Sequence, residues 1–168
     1  MKIELQSNDE LTRLSKLIEG MSVAMMTTLD DDDALVSRPM SPLEMDGHGA
    51  MWFFTDLRSE KIEHLRAVNL SFSDADKSTY VSISGRGEVH VEQARIDELW
   101  TPFARPWFPD GKDSGNIALL KFVPSTAEYW DAPHSKMVRM FAMAASIVAS
   151  TPIGIGDHDT LTGLSAPR

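Results

Sequence analysis

The chain has 168 residues, 42% hydrophobic and 24% charged, a balance that fits one globular domain and excludes a disordered or fibrous chain. The absence of cysteine removes disulfides, thiolate metal sites and thiol catalysis, and matches a reducing compartment. A formal net charge of -9 repels polyanions, so neither nucleic acid nor an anionic membrane is expected as a partner, and any phosphate must bind at a local cationic island.

Met1 to Gln6 turns polar within a few residues, so no export segment is expected and the cytoplasm is the expected location. Ser7 and Glu10 have capping-box spacing, and Leu11, Leu14, Leu17 and Ile18 form the apolar stripe of a helix that Gly20 stops. Val23 to Leu29 and Ala34 to Leu43 read as a hairpin around the acidic turn Asp30 to Asp33. Four aspartates suggest calcium, but a calcium loop needs ligands spread over a longer loop with a glycine and a distal carboxylate, so no metal is expected.

A second turn, Glu44 to Gly49, leads into Met51 to Thr55, an aromatic strand to be buried on both faces. Ser59 to Val68 carries Ile62, Leu65 and Val68 at helical spacing, and reads as a helix opened by Ser59. Two alternating strands follow, Asn69 to Ser73 and Tyr80 to Val91, the second bent at its glycines. Next come a helix from Glu92 to Trp100 and a loop of breakers and aromatics, Pro102 to Gly111. Strands Ile117 to Val123 and Ala127 to Trp130 are separated by Pro124-Ser125-Thr126, and an apolar stretch from Met140 to Ala149, too short to cross a bilayer, reads as a packing helix. Met137, Met140 and Met143 recur on it and suit a dimer contact.

Short strands joined by hairpin turns favour a mainly β fold, an antiparallel barrel with peripheral helices, over a doubly wound sheet. Residues 1–168 read as one domain, with a C-terminal helix and tail from about 136. Gly85-Arg86-Gly87 lacks a third glycine and lies inside a strand, so it is no dinucleotide loop.

The segment Phe53 to Lys61 leaves a buried strand, turns and starts the expected helix, so backbone amides, hydroxyls and a lysine converge where the macrodipole contributes about half a positive charge. Alone, it reads more simply as an ordinary cap beside a solvated lysine. Arg38-Pro39-Met40 lies on the return strand, where proline marks an edge or bulge and leaves backbone available to a ligand. An arginine there is commonly a surface residue, but beside an anion site it supplies a forked phosphate contact.

Val36 to Met40, Trp52 to Thr55 with Ser59 and Lys61, Val81 to Gly85 and Glu128 to Asp131 together resemble the flavin-binding split barrels related to pyridoxamine 5'-phosphate oxidase, and within them the general stress protein branch. The resemblance covers roughly residues 11–139. It implies a six-stranded antiparallel split barrel that forms a homodimer with one FMN, or FAD, in each of two clefts between subunits. It implies that Arg38, Ser59 and Lys61 hold the phosphate and that Pro39, Met40, Phe54 and Thr55 line the ribityl chain and ring. Trp130 would pack near the isoalloxazine from the partner subunit.

Two departures stand out. Glu60 occupies the place of a second cation in the oxidases, and 105–113 lacks their arginine and serine pattern for the substrate phosphate. The function this implies is a flavin-binding general stress protein, redox-related and without a committed substrate, an FMN-dependent oxidoreductase if it is catalytic. The alternatives are a pyridoxamine or pyridoxine 5'-phosphate oxidase, and a haem-binding or non-catalytic barrel in which His134 or His90 would serve as axial ligand. His64 and His134 are acid–base candidates by proximity only, with solvent-facing histidines the plainer reading. Trp107 and Phe108 either cap the flavin or bury themselves at the dimer seam.

Overall fold

The computed structural model describes residues 1–59, 62, 64–131, 157–162 and 164. Helix α1 (Asp9–Ile18) starts one residue later than the capping-box spacing suggests: the extended residue Asn8, not Ser7, caps it, accepting from Leu11 N at 2.8 Å. Leu11, Leu14 and Ile18 are buried, and Gly20 takes the left-handed conformation (φ 83°) that ends the helix at little steric cost.

Among the described residues nine strands form one sheet: β1 (Lys2–Ile3), β2 (Ala24–Leu29), β3 (Leu35–Met40), β4 (Glu44–Met45), β5 (Met51–Asp56), β6 (Val68–Asp74), β7 (Thr79–His90), β8 (Ile117–Asp131) and β9 (Asp157–Leu161). Their order is β1-β4-β5-β8-β7-β6-β2-β3, with β9 paired to β8 off that path. Five ladder steps separate β5 from β3, about 24 Å in a flat sheet. Yet Leu43, three residues beyond the end of β3, donates to Trp52 O of β5 at 2.8 Å, and three residues span at most about 11 Å. The sheet is therefore rolled, and its two edges meet without a ladder between β3 and β5 among the described residues: a split barrel.

Three expectations change. The expected strands on either side of Pro124 are one, because β8 runs through the proline opposite a register shift at Ser84/Gly85. Ser84 pairs with Thr126 and Gly85 with Pro124, leaving Ser125 as the extra residue of a bulge, where a missing N–H disrupts nothing. Of the helix expected from Ser59 to Val68, Ile62 lies in a 3-10 turn and 64–68 are not helical, while 60, 61 and 63 lie outside the described residues. Val68 is claimed by ladders to Thr28 and Gly85, and Leu65 O accepts from Gly87 N at 2.7 Å, so strand pairing outweighs a short apolar periodicity. Among the described residues the strands number nine rather than six, the short β1 and β4 and the late β9 being the additions a periodicity argument passes over. The C-terminal packing helix lies outside the described residues. Among those described, no helix is long and apolar enough to cross a membrane.

Inside the barrel, α1 closes a core containing Met26, Phe53, Leu70, Ile83, Phe122 and Tyr129. A second cluster on the outer face of β5 and β8 joins Trp52, Phe54, Ile117 and Leu119 to α2 (Gln93–Leu99) and the loop after it. Glu44, 1% exposed, accepts from Arg95 of α2 and from Lys2 Nζ at 3.2 Å. This buried carboxylate ties the short strands to α2.

Arg95→Leu leaves Glu44 with only an exposed lysine partner, and should lower unfolding free energy by about 3 kcal/mol, recovered in part by Glu44→Gln in the same chain, as read from urea midpoints. A Cβ at Gly85 would lie 2.2 Å from Val123 O and 2.7 Å from the Phe122 ring, so Gly85→Ala should destabilise by about 2 kcal/mol or more in the same assay.

Candidate functional site

Paired residues of a ladder share a face of the sheet, and Arg38 pairs with the fully buried Met26. Arg38 therefore rises from the barrel side of the edge strand β3, where Nη2 donates to Thr28 Oγ1 at 3.2 Å. Its Nη1 is enclosed with no hydrogen-bond partner among the described residues. Met40, two residues on, packs in part against the same core, whereas Pro39 is exposed on the outer face. Pro39 lies on an edge strand, as its missing donor requires.

Alternation divides β5 in the same way. Met51 and Phe53 belong to the barrel core, Trp52 and Phe54 to the outer cluster, and Thr55 follows Phe53 inward. Thr55 is 1% exposed, and its hydroxyl has no partner among the described residues. Four antiparallel ladder steps lead from β5 to β2, so the two strands run the same way, and Thr55 and Thr28, each next to last in its strand, share one end of the barrel. That end holds Thr28, Arg38 and Thr55, all turned inward. Phe54 faces away, edge-on to Trp100 at 5.5 Å and Phe108 at 5.9 Å, so only its backbone is offered on the Thr55 side.

The chain from β5 to β6 crosses this end. Ser59 N donates to Asp56 O at 3.0 Å and Ile62 N to Ser59 O at 3.2 Å, a tight turn. Arg58 forks onto Asp56, with Nη2 to Oδ2 at 2.6 Å, and the hydrogen bond and then the charge of that carboxylate raise the guanidinium pKa. Arg58 is thus committed and Arg38 is not. His64 is partly exposed, and its Nε2 lies 3.3 Å from Oδ1 of the exposed Asp31, a contact between the crossing segment and the β2–β3 turn. Asp30 Oδ1 accepts from Asp32 N at 3.0 Å and Ala34 N at 2.9 Å, so it shapes the acidic turn, and no cluster of three metal-binding side chains occurs among the described residues. Glu60, Lys61, His134 and the terminal methionines lie outside the described residues.

Trp130 is elsewhere. It pairs with Tyr80 near the start of β7, at the opposite end from Thr55, and its half-exposed indole stacks on His158 at 4.9 Å and 13°. Within one chain it is not brought together with Arg38. Phe108 is packed on Phe54, while Trp107 is 81% exposed, which separates two residues that composition treats alike. His90 lies against Trp52 at 5.2 Å, between Glu88 and Glu92, in the outer cluster rather than at the barrel mouth. Thr28 escaped the sequence reading. Its signal was a hydroxyl in phase with the inward residues Ala24 and Met26.

The family model described as pyridoxamine 5'-phosphate oxidase like matches residues 9–153. Among solved structures, one described as general stress protein 26 from Jannaschia sp. CCS1 is similar at 23% identity and a TM-score of 0.71, over 91% of this chain and 98% of that one. A general stress FMN/FAD binding protein from Xanthomonas citri has 30% identity and a TM-score of 0.59, over 71% and 86%. A pyridoxamine 5'-phosphate oxidase-related, FMN binding protein from Nostoc punctiforme shares 13% identity with a TM-score of 0.61, over 71% and 82%. No curated protein matches the chain.

Removing an unsatisfied buried hydroxyl costs the ligand-free fold nothing, so Thr55→Val should leave its unfolding free energy unchanged or raise it by about 1 kcal/mol. A guanidinium titration that shows a loss instead means the hydroxyl is bonded within the barrel.

Proposed function

The chain belongs to the pyridoxamine 5'-phosphate oxidase-like family, whose model spans most of its length, and on that premise we propose that it is a flavin-binding protein of the general stress type that holds FMN at the Thr28–Arg38–Thr55 end of the barrel. The observation that carries this reading is the enclosed Arg38 Nη1, without a partner among the described residues, at the same end as the Thr55 hydroxyl, which likewise has none among them. Buried donors left unmade cost about 1–3 kcal/mol each, more for a charged group, and a phosphate oxygen satisfies both. Arg38 would take the phosphate in a forked contact, with Thr28 holding one arm of the guanidinium in place. Ser59 lies on the crossing segment at the same end, and Lys61 follows two residues later as the second cation.

Bound FMN supplies hydride or single-electron chemistry. The chain's part is to bind and orient. Met40, Thr55 and the Phe54 backbone line the inner wall, while Pro39 leaves its edge without a donor. The Trp52–Phe54–Phe108 cluster backs β5 and keeps water from its outer face. Because Trp130 stands at the far end in its own chain, a site that uses it needs a second copy. The exposed Met25, Leu35 and Val36 beside an open strand edge support such a homodimer.

The protein as purified should show a flavin spectrum and no Soret band. Arg38→Ala with Lys61→Ala should weaken FMN binding by about a hundredfold or more in a fluorescence titration while the unfolding midpoint of the ligand-free protein stays put. An unchanged titration removes this reading.

A further inference from the structure

The loop after α2 folds into a knuckle with two apolar sides. Ala104 N donates to Thr101 O at 3.0 Å, Arg105 N to Pro102 O at 3.2 Å, and Trp107 N and Phe108 N to Ala104 O at 3.1 and 3.0 Å, so 101–108 winds as successive turns. Residues four apart on such turns share a side. Ala104 and Phe108 form the inner side, Ala104 buried and Phe108 edge-on to Phe54. Phe103 and Trp107 form the opposite side and are 89% and 81% exposed. Pro102, Pro106 and Pro109 restrict the backbone, so both rings are held out in water by a stiff turn. Single exposed apolar residues are ordinary on a monomer, whereas paired aromatic rings on a fixed support mark a contact surface.

The chain itself carries the complement. Arg105 stands between the two rings, exposed and in no ion pair among the described residues, so the knuckle suits a surface that is apolar and acidic. The tip of the β2–β3 hairpin is such a surface: Asp31, Asp32 and Asp33 are exposed, and Leu35, 75% exposed, and Val36 follow them. Asp30 is used inside the turn and Asp31 meets His64, while the Asp32 and Asp33 carboxylates join no ion pair among the described residues. Knuckle and tip lie at one end of the barrel, since Phe108 packs on Phe54 beside Thr55 and the tip follows Thr28. Two complementary patches at one end allow a two-fold pair in which each knuckle meets the other copy's tip, a contact that closes instead of extending into a filament. Two rings of about 150–250 Å² each supply about half of the roughly 800 Å² that each partner brings to a stable interface. On a chain of net charge -9, a contact between copies also needs opposite charges brought together locally, as Arg105 and Asp32 would be.

Building on the reading of the barrel mouth as a flavin site in a homodimer, we propose that the Phe103–Trp107 knuckle of one subunit seats on the β2–β3 tip of the other. Its rings cover Leu35 and Val36, and Arg105 faces the aspartates. Val36 shares its face of β3 with Arg38, two residues on, so the seated knuckle lies at the rim of the mouth and covers it. Each site is then closed by the subunit that does not hold the phosphate.

Sedimentation equilibrium on the full chain, freed of flavin and loaded with FMN, tests this. The parent should be a dimer, and Phe103→Asp with Trp107→Asp should raise its dissociation constant by about a hundredfold or more, with far-UV circular dichroism unchanged because both rings stand outside the core. Arg105→Glu should raise the constant by about tenfold, and adding Asp32→Lys should restore it, a rescue that a loss of folding cannot mimic. FMN should bind the dissociated variant about tenfold more weakly than the parent. A monomeric parent, a Phe103→Asp/Trp107→Asp variant that dimerises like the parent, a charge swap no better than Arg105→Glu alone, or FMN held as tightly by the dissociated variant overturns the proposal. A parent that dimerises through the knuckle but takes up no flavin leaves the interface standing and removes only the flavin reading of the mouth.

Discussion

The pairing of β7 with β8, bent at the bulge between Ser84/Gly85 and Pro124, is the constraint on which the rest of this architecture depends. These two long strands serve two half-sheets. Toward one end β8 pairs with β5, and toward the other it pairs with β9 while β7 pairs with β6. A flat ribbon could not do both, because the β5 and β3 edges must come within the reach of three residues. The extra residue Ser125 and the bare Cα of Gly85 bend the ribbon and so bring the edges of the split barrel together.

That closure creates polar demand at one end of an apolar interior. β2, β3 and β5 each turn a polar residue inward near the seam: Thr28, Arg38 and Thr55. Among the described residues, a guanidinium nitrogen of Arg38 and the hydroxyl of Thr55 are buried there without partners, which is costly in a finished core. The opposite treatment is seen at Glu44, which is buried as deeply but fully answered by Arg95 and Lys2.

Membership of the pyridoxamine 5'-phosphate oxidase-like family goes with this split-barrel architecture, which does not by itself dictate a chemistry. The contact of His64 with Asp31 joins the crossing segment to the β2–β3 turn.

The amino-acid sequence by itself determined the elements whose signals are local. The stripe of Leu11, Leu14 and Ile18, the hairpin around Asp30, the doubly buried strand from Met51 and the edge position implied by Pro39 are each set by periodicity or by a missing donor, which neighbouring residues alone specify. Pattern and resemblance also named Arg38 and Thr55. What only the tertiary structure decided are the matters of register: that Val68 belongs to two ladders rather than a helix, that β8 runs through Pro124, that Thr28 partners Arg38, that Phe54 turns away from Thr55, and that Ser37, Thr27, Asn69, Ser84 and Thr126 form one line. The reason is physical. A one-residue slip between strands exchanges every inward side chain for an outward one, and the energy that fixes the register comes from contacts between residues far apart in the chain.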